Sequence, residues 1–315
     1  MSKTRKIVMV ILGPPLAALS ILAVLVFFFS FMYQPEEIDP ASLRRDGNFV
    51  EIDDVRAHYL DRGSGQPVIL LHGLGAWSYS WRRNLGPLSE RNHVYAPDLK
   101  GFGLTDKPAG SSYSIESQAD FVVAFMDKLA IKRAVFVGNS LGGSIALHVY
   151  QKHPEKVKAL VLVDSAGYQV GPASPIASVP SPLRPVATRG IALSRWFVRD
   201  QLSAAYFDPE THLTAETVDG YYLPTRTRGI ENAALGLWRD LKLKDETSLI
   251  RTVHVPTLIV WGKNDRIIPL SCAYRFNDDI PGSRLALIDR AGHACFEEAP
   301  AQVNGAISGF LSHLR

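Results

Sequence analysis

The sequence predicts an α/β fold: a mainly parallel sheet with helices on both faces and a helical insertion. Three observations carry this expectation. Apolar runs at 67–71, 134–137, 159–163 and 257–261 have the length and the Val, Ile and Leu content of buried strands. Stretches with helical spacing of apolar residues lie between them, and that alternation builds parallel sheets. A His, Gly or Asp follows each run. Sheets of this kind collect their reactive side chains at those carboxyl ends.

The 315 residues are 46 % apolar, enough to bury one large core or two small ones. There are 34 basic and 31 acidic residues, and Lys3, Arg5 and Lys6 all precede the first apolar stretch. The remaining body is electrically balanced, so nothing points to a nucleic-acid partner. Cys272 and Cys295 are too few for a disulfide framework and lack metal-ligand spacing. Two buried free thiols are expected, with a single bridge as the alternative.

Residues 7–33 carry no charge. As a helix they reach about 40 Å, enough to cross a hydrocarbon layer. Pro14 and Pro15 kink that helix, leaving Leu16 to Met32 as its cleanest stretch. A cleaved signal peptide is the alternative. The small-residue site it needs, Ala18 and Ser20, falls in the middle of the run. An uncleaved anchor is therefore expected. Basic residues precede it and Glu36, Glu37 and Asp39 follow, which places the amino terminus in the cytoplasm and the globular part outside. The expected organisation is a cytoplasmic tip and membrane anchor at 1–34 and a linker at 35–47. The first part of the core follows at 48–167, then a helical cap at 168–238 and the second part of the core at 239–315.

Within the body, Phe49 to Asp61 alternates as two strands turning near Asp53-Asp54. The run at 67–71 ends at His72-Gly73-Leu74-Gly75. Trp77 to Leu88 reads as a helix, and His93 to Ala96 as a strand closing at Pro97-Asp98. Ser114, with Ser117 close by, opens a helix that runs through Leu129. The strand at 134–137 leads into Gly138-Asn139-Ser140-Leu141-Gly142 and a helix from Gly143 to Tyr150. Ala159 to Val163 ends at Asp164, and Thr257 to Trp261 and Leu285 to Ile288 are the last strands. The insertion from Tyr168 to Trp238 is rich in proline and aromatics and holds no β-run. Trp196, Phe197, Tyr206, Phe207, Tyr221 and Tyr222 either line a substrate pocket beneath this cap or pack the cap onto the core.

G-x-S-x-G at a strand-to-helix junction holds a serine on a tight turn with its hydroxyl exposed above the sheet edge. Such a serine needs a base, and imidazole suits the task. Among the nine histidines, His293 follows the last strand beside glycine. His58, His93, His148, His153, His212, His254 and His313 are read as surface loop histidines. A carboxylate must then fix the imidazole, and Asp265, after the penultimate strand, is the candidate, with Asp164 its rival. Charge on a reacting carbonyl oxygen needs two N–H donors. Leu141 at its helix start supplies one and Leu74 the other. His72 is expected to hydrogen-bond its own turn into shape.

Through these motifs the chain resembles the α/β-hydrolase superfamily. The matching segments are HGLGAWSYSWR (72–82), PDLKGFGLTDKP (97–108), VGNSLGG (137–143), WGKNDRIIP and GHACFEEAP, in family order. The resemblance implies an eight-stranded sheet, a Ser140-His293-Asp265 triad and no cofactor. Tyr79, Trp81 and Arg82 resemble the haloalkane dehalogenase and epoxide hydrolase branch, which carries aspartate where this chain has Ser140; both activities are rejected. Asn139 is similar to the carbon–carbon bond hydrolases of aromatic meta-cleavage pathways. Ala294, Leu74-Gly75-Ala76 and Lys100 depart from family patterns. Membrane-anchored monoacylglycerol lipases share the serine, the cap and an amino-terminal anchor. The expected function is a membrane-tethered serine esterase or lipase acting on small or lipid-like esters. Hydrolysis of vinylogous diketones and a non-catalytic binding module are the alternatives.

Overall fold

The computed structural model describes residues 38–43, 46–169 and 184–314, together with Ser20, Ala23, Val24, Phe27 and Phe28. The expected anchor at 7–33 lies outside the described residues apart from those five, which are helical and exposed. Among the described residues, no helix is long and apolar enough to cross a membrane.

Eight strands form one sheet: β1 (Asn48–Ile52), β2 (Val55–Arg62), β3 (Gln66–Leu71), β4 (Asn92–Pro97), β5 (Ala134–Asn139), β6 (Val157–Val163), β7 (Thr257–Gly262) and β8 (Arg284–Ile288). Their order is β1-β2-β4-β3-β5-β6-β7-β8. The β1–β2 and β2–β4 pairs are antiparallel and the others parallel. The labelled helices are α1 (Leu85–Ser89), α2 (Ile115–Lys128), α3 (Leu141–Lys152), α4 (Arg195–Ala205), α5 (Ala215–Tyr222), α6 (Ile230–Asp240), α7 (Leu270–Asp279) and α8 (Pro300–Ser312).

Because side chains alternate along a strand, a continuous apolar run feeds two faces at once. Ile69, Leu71, Phe136, Leu160 and Leu162 bury against one layer, to which α2, α3 and α7 contribute. Val68, Leu70, Val135, Val137, Val161 and Val163 bury against the other, which holds α1, α8 and residues of α4 and α5. Each fully buried side chain of this type contributes roughly 1.5–3 kcal/mol. Parallel pairing aligns the carboxyl ends, so β5, β6, β7 and β8 deliver their following loops to one edge.

The stretch from Trp77 to Leu88 is not one helix. It splits into a 3-10 turn, Ser78–Trp81, and α1. Pro87 has no N–H and fits only the first turn of a helix, so α1 starts at Leu85. Upstream, the Ser78 N–H is taken by Asp98 Oδ1 at 2.7 Å. The cap helix α6 continues past Trp238 to Asp240, whose carboxylate accepts the Tyr113 N–H at 2.9 Å. Ser114 caps α2 through the Ser117 N–H, and Ser194 and Thr214 cap α4 and α5 in the same way.

Among the described residues an isolated β-bridge joins Ile38 to Thr227 of the insertion. Ile38 N–H donates to Arg226 O at 3.0 Å and Arg228 N–H to Ile38 O at 3.0 Å. Beside it Asp39 approaches Arg56 of β2 at 3.4 Å. Cys272 and Cys295 are free and buried.

Candidate active site

Ser140 stands between β5 and α3 with φ +52° and ψ −119°, a region that non-glycine residues rarely occupy. Such strain costs on the order of 1–3 kcal/mol and persists only where neighbours enforce it. Here the Ser140 N–H donates to Val163 O at 3.1 Å, while its carbonyl accepts the Gly143 and Ala166 N–H groups, each at 3.0 Å. A Cβ at Gly138 would collide with the Gly142 carbonyl, and one at Gly142 with the Leu71 carbonyl. The turn is therefore closed to larger residues at both positions.

His293 lies in the loop after β8. Its Nδ1 is 2.8 Å from Asp265 Oδ2, with the Asp265 side chain fully buried. The other Asp265 oxygen accepts the Ile267 and Ile268 N–H groups at 2.7 and 2.9 Å. Three donors thus fix the carboxylate, and it fixes the imidazole. The structure pairs His293 with Asp265 and not with Asp164. Asp164 directly follows β6 and is fully buried, its Oδ1 accepting the Gly262 N–H at 2.8 Å. Burial, together with the nearby Asp265 charge, pushes its carboxyl well above the usual range, which favours the neutral acid.

Leu141 is the first residue of α3, where N–H groups have no partner inside the helix. Leu74 is 53 % exposed, in a loop closed by the Ala76 N–H on Gly73 O at 3.2 Å. His72 supports that loop: its Nδ1 lies 2.9 Å from Gly73 O, and its Nε2 accepts the Leu99 N–H at 3.0 Å. The ring is therefore the neutral Nδ1–H tautomer, in keeping with burial, which lowers its pKa. Both nitrogens are engaged, so His72 shapes the turn as expected. Among the described residues no cluster of His, Cys, Asp and Glu is arranged to hold a metal ion.

The cap aromatics do not gather as one wall. Trp196 is 69 % exposed. Tyr206 is buried in the core layer beside Glu297 and Arg82, and burial together with the Glu297 charge raises its phenol pKa. Glu297 also takes Arg82 and the Tyr221 hydroxyl as partners. Phe197 and Tyr222 are half-buried on α4 and α5. An aromatic identity does not encode which side of a helix faces inward, so the residue types alone could not sort these four.

Three histidines read as surface loop residues are also placed differently: His93 is half-buried on β4, its Nε2 at 3.0 Å from Asp61 Oδ2. His58 is buried on β2, its Nδ1 at 2.8 Å from Asp98 Oδ2. His148, on α3, bonds Glu246 at 2.9 Å, and that carboxylate also accepts the Ser144 hydroxyl. Each partner is distant in sequence, so no local pattern announces the pair. Asn139 has a structural task beyond its likeness to one subfamily: its Nδ2 donates to Val163 O and His293 O at 3.2 and 3.3 Å, linking the serine strand to the histidine loop.

Residues 66–230 match the family model for the alpha/beta hydrolase fold. A 2-hydroxy-6-oxo-6-(2'-aminophenyl)hexa-2,4-dienoic acid hydrolase of Metapseudomonas resinovorans is 35 % identical over 84 % of this chain and 90 % of its own length. A solved meta-cleavage product hydrolase from Pseudomonas fluorescens IP01 superposes with TM-score 0.73 at 30 % identity, covering 86 % of this chain and 99 % of that one. A membrane phospholipase A described as a bacterial virulence factor superposes with TM-score 0.71 at 26 % identity, covering 99 % of both chains.

Proposed function

Since this chain belongs to the α/β-hydrolase family and is a hydrolase, we propose that it cleaves carboxylic esters of apolar acyl chains through Ser140, His293 and Asp265. The observation that carries this reading is the bond from His293 to the buried Asp265, in a chain whose serine stands on a strained strand-to-helix turn.

Asp265 holds the Nδ1–H tautomer, leaving His293 Nε2 free to accept a proton. Ser140 Oγ attacks the ester carbonyl as Nε2 takes its proton. The Leu141 and Leu74 N–H groups receive the charge that develops on the oxygen. The imidazolium then protonates the leaving alcohol, and an acyl-serine ester remains. Water, deprotonated by the same nitrogen, releases the acid and restores the serine.

The likeness to a membrane phospholipase A and the apolar stretch at 7–33 support an ester substrate held near a bilayer. On this reading residues 7–33 form a single-pass anchor with the hydrolase domain outside the cytoplasm. The second reading is hydrolysis of a carbon–carbon bond in a vinylogous diketone, favoured by the names of the relatives and by Asn139.

A fluorophosphonate probe should label the wild type and not Ser140→Ala. An unlabelled wild type overturns serine catalysis and leaves a binding module. Turnover of p-nitrophenyl esters of increasing chain length, set against a vinylogous diketone, separates the two chemistries. Protease added to intact spheroplasts should digest the domain, and full protection reverses the topology. Deleting residues 1–34 should lower turnover on vesicle-borne esters more than on soluble ones; an equal change rejects the bilayer as the source of substrate.

A further inference from the structure

The N–H groups on either side of His293 are held by the cap on one side and by Glu298 on the other. Ala294 N–H donates to Ala205 O at 3.2 Å. Gly292 N–H donates to Glu298 Oε2 at 2.6 Å. The other oxygen of that carboxylate accepts the Phe207 N–H at 2.8 Å and the Asp208 N–H at 3.0 Å. Residues 205–208 form the turn that leaves α4. Contact there is close: a Cβ at Gly292 would lie 2.5 Å from Ala205 O and 2.8 Å from Phe207 N.

Glu298 is 8 % exposed. A carboxylate this deeply buried normally requires a charged partner. Among the described residues none forms an ion pair with Glu298; three peptide N–H groups compensate it instead. Its geometry thus serves to join two segments, one carrying the candidate base and one belonging to the cap.

We propose that Glu298 is a positioning residue that locks the cap turn 205–208 to the His293 loop, so that the imidazole is seated over Ser140 only while the cap is docked. The role rests on the triad reading of His293. Displacing the turn shifts the peptides at 292 and 294 together and swings the ring away from the serine. A misplacement of about 1 Å costs on the order of 100-fold in rate.

Glu298→Gln tests this with almost no change in shape. Its amide oxygen still accepts the Phe207 and Asp208 N–H groups, but its NH2 then faces the Gly292 N–H, donor against donor. On a soluble p-nitrophenyl ester kcat should fall roughly 10- to 100-fold, with KM within about twofold of wild type. Labelling of Ser140 by a fluorophosphonate should slow by the same factor. The downfield proton resonance of the His293 Nδ1–H should broaden through faster exchange. A folded Glu298→Gln with wild-type kcat, labelling rate and resonance overturns the proposal.

Should that variant fail to fold, hydrogen exchange on the wild type decides. Labelling Ser140 should change protection of 203–209 and 290–295 by the same factor, and independent changes overturn the coupling. A wild type that is never labelled overturns the triad reading instead. The lock is then read in the unmodified protein, where the two segments should open together as urea is raised; separate opening overturns it.

Discussion

Asp265→Asn changes one atom and should nearly abolish turnover. In the native site Asp265 Oδ1 accepts two backbone N–H groups, at 2.7 and 2.9 Å, and Oδ2 faces His293 Nδ1 at 2.8 Å. An asparagine must put its single carbonyl oxygen where the two N–H donors point. Its NH2 then meets Nδ1, which becomes an acceptor, so the imidazole proton moves to Nε2. That nitrogen can no longer take a proton from Ser140. The expected loss in kcat is about 10⁴-fold, or roughly 5.5 kcal/mol of barrier. Stability should change little, because both backbone bonds survive. Asp164→Asn is the contrast: carboxyl and amide are near-isosteric, and the Gly262 N–H keeps an acceptor. Its kcat should stay within about threefold of wild type. The assay is initial-rate kinetics on a short p-nitrophenyl ester, with thermal melts of both variants. An Asp265→Asn enzyme keeping more than about a tenth of wild-type kcat, or an Asp164→Asn enzyme losing activity while folded, refutes the reasoning.

Ser140→Gly should remove activity yet raise stability by about 1 kcal/mol, since glycine tolerates φ +52°; a lowered melting temperature contradicts the strain described. Burial opposes charge on His58, but the Asp98 charge and hydrogen bond outweigh it and raise its pKa above 6.5. The stabilisation from charging His58 is therefore complete below pH 6.5, while Asp98 stays ionised, and is lost as pH rises through the folded value. His58→Gln should flatten that part of the melting-temperature curve, and an unchanged slope rejects the linkage. Arg82→Leu leaves Glu297 buried without its cation and should cost roughly 2–3 kcal/mol, below the figure for a fully buried pair because Arg82 is 22 % exposed. Urea denaturation measures it, and a loss under about 0.5 kcal/mol shows that Tyr221 alone suffices to partner that carboxylate.

The sheet was legible because a buried parallel strand needs an unbroken apolar run, and 134–137, 159–163 and 257–261 each supply one. The same runs led to Asp265 and His293, which the structure joins at 2.8 Å, since topology places strand ends together whatever the intervening length. Interactions closed by partners far along the chain were not legible. Glu298 reaches Phe207 across 91 residues and Glu297 reaches Tyr221 across 76, and neither leaves a local trace in GHACFEEAP. His58 alternates on its strand like any polar residue; only Asp98, 40 residues on, makes it internal. The 77–88 stretch carried a helical rhythm, but the missing N–H of Pro87 and the pull of Asp98 on Ser78 divide it.

The bridge between Ile38 and Thr227 gives the molecule a mechanical property. Force applied at the amino end arrives first at the loop before α6, and through Asp39 at the rim of β2, ahead of the central strands. A recombinant domain trimmed to begin at Gly47 keeps every strand but cuts this tether, and should show a looser cap over an intact sheet.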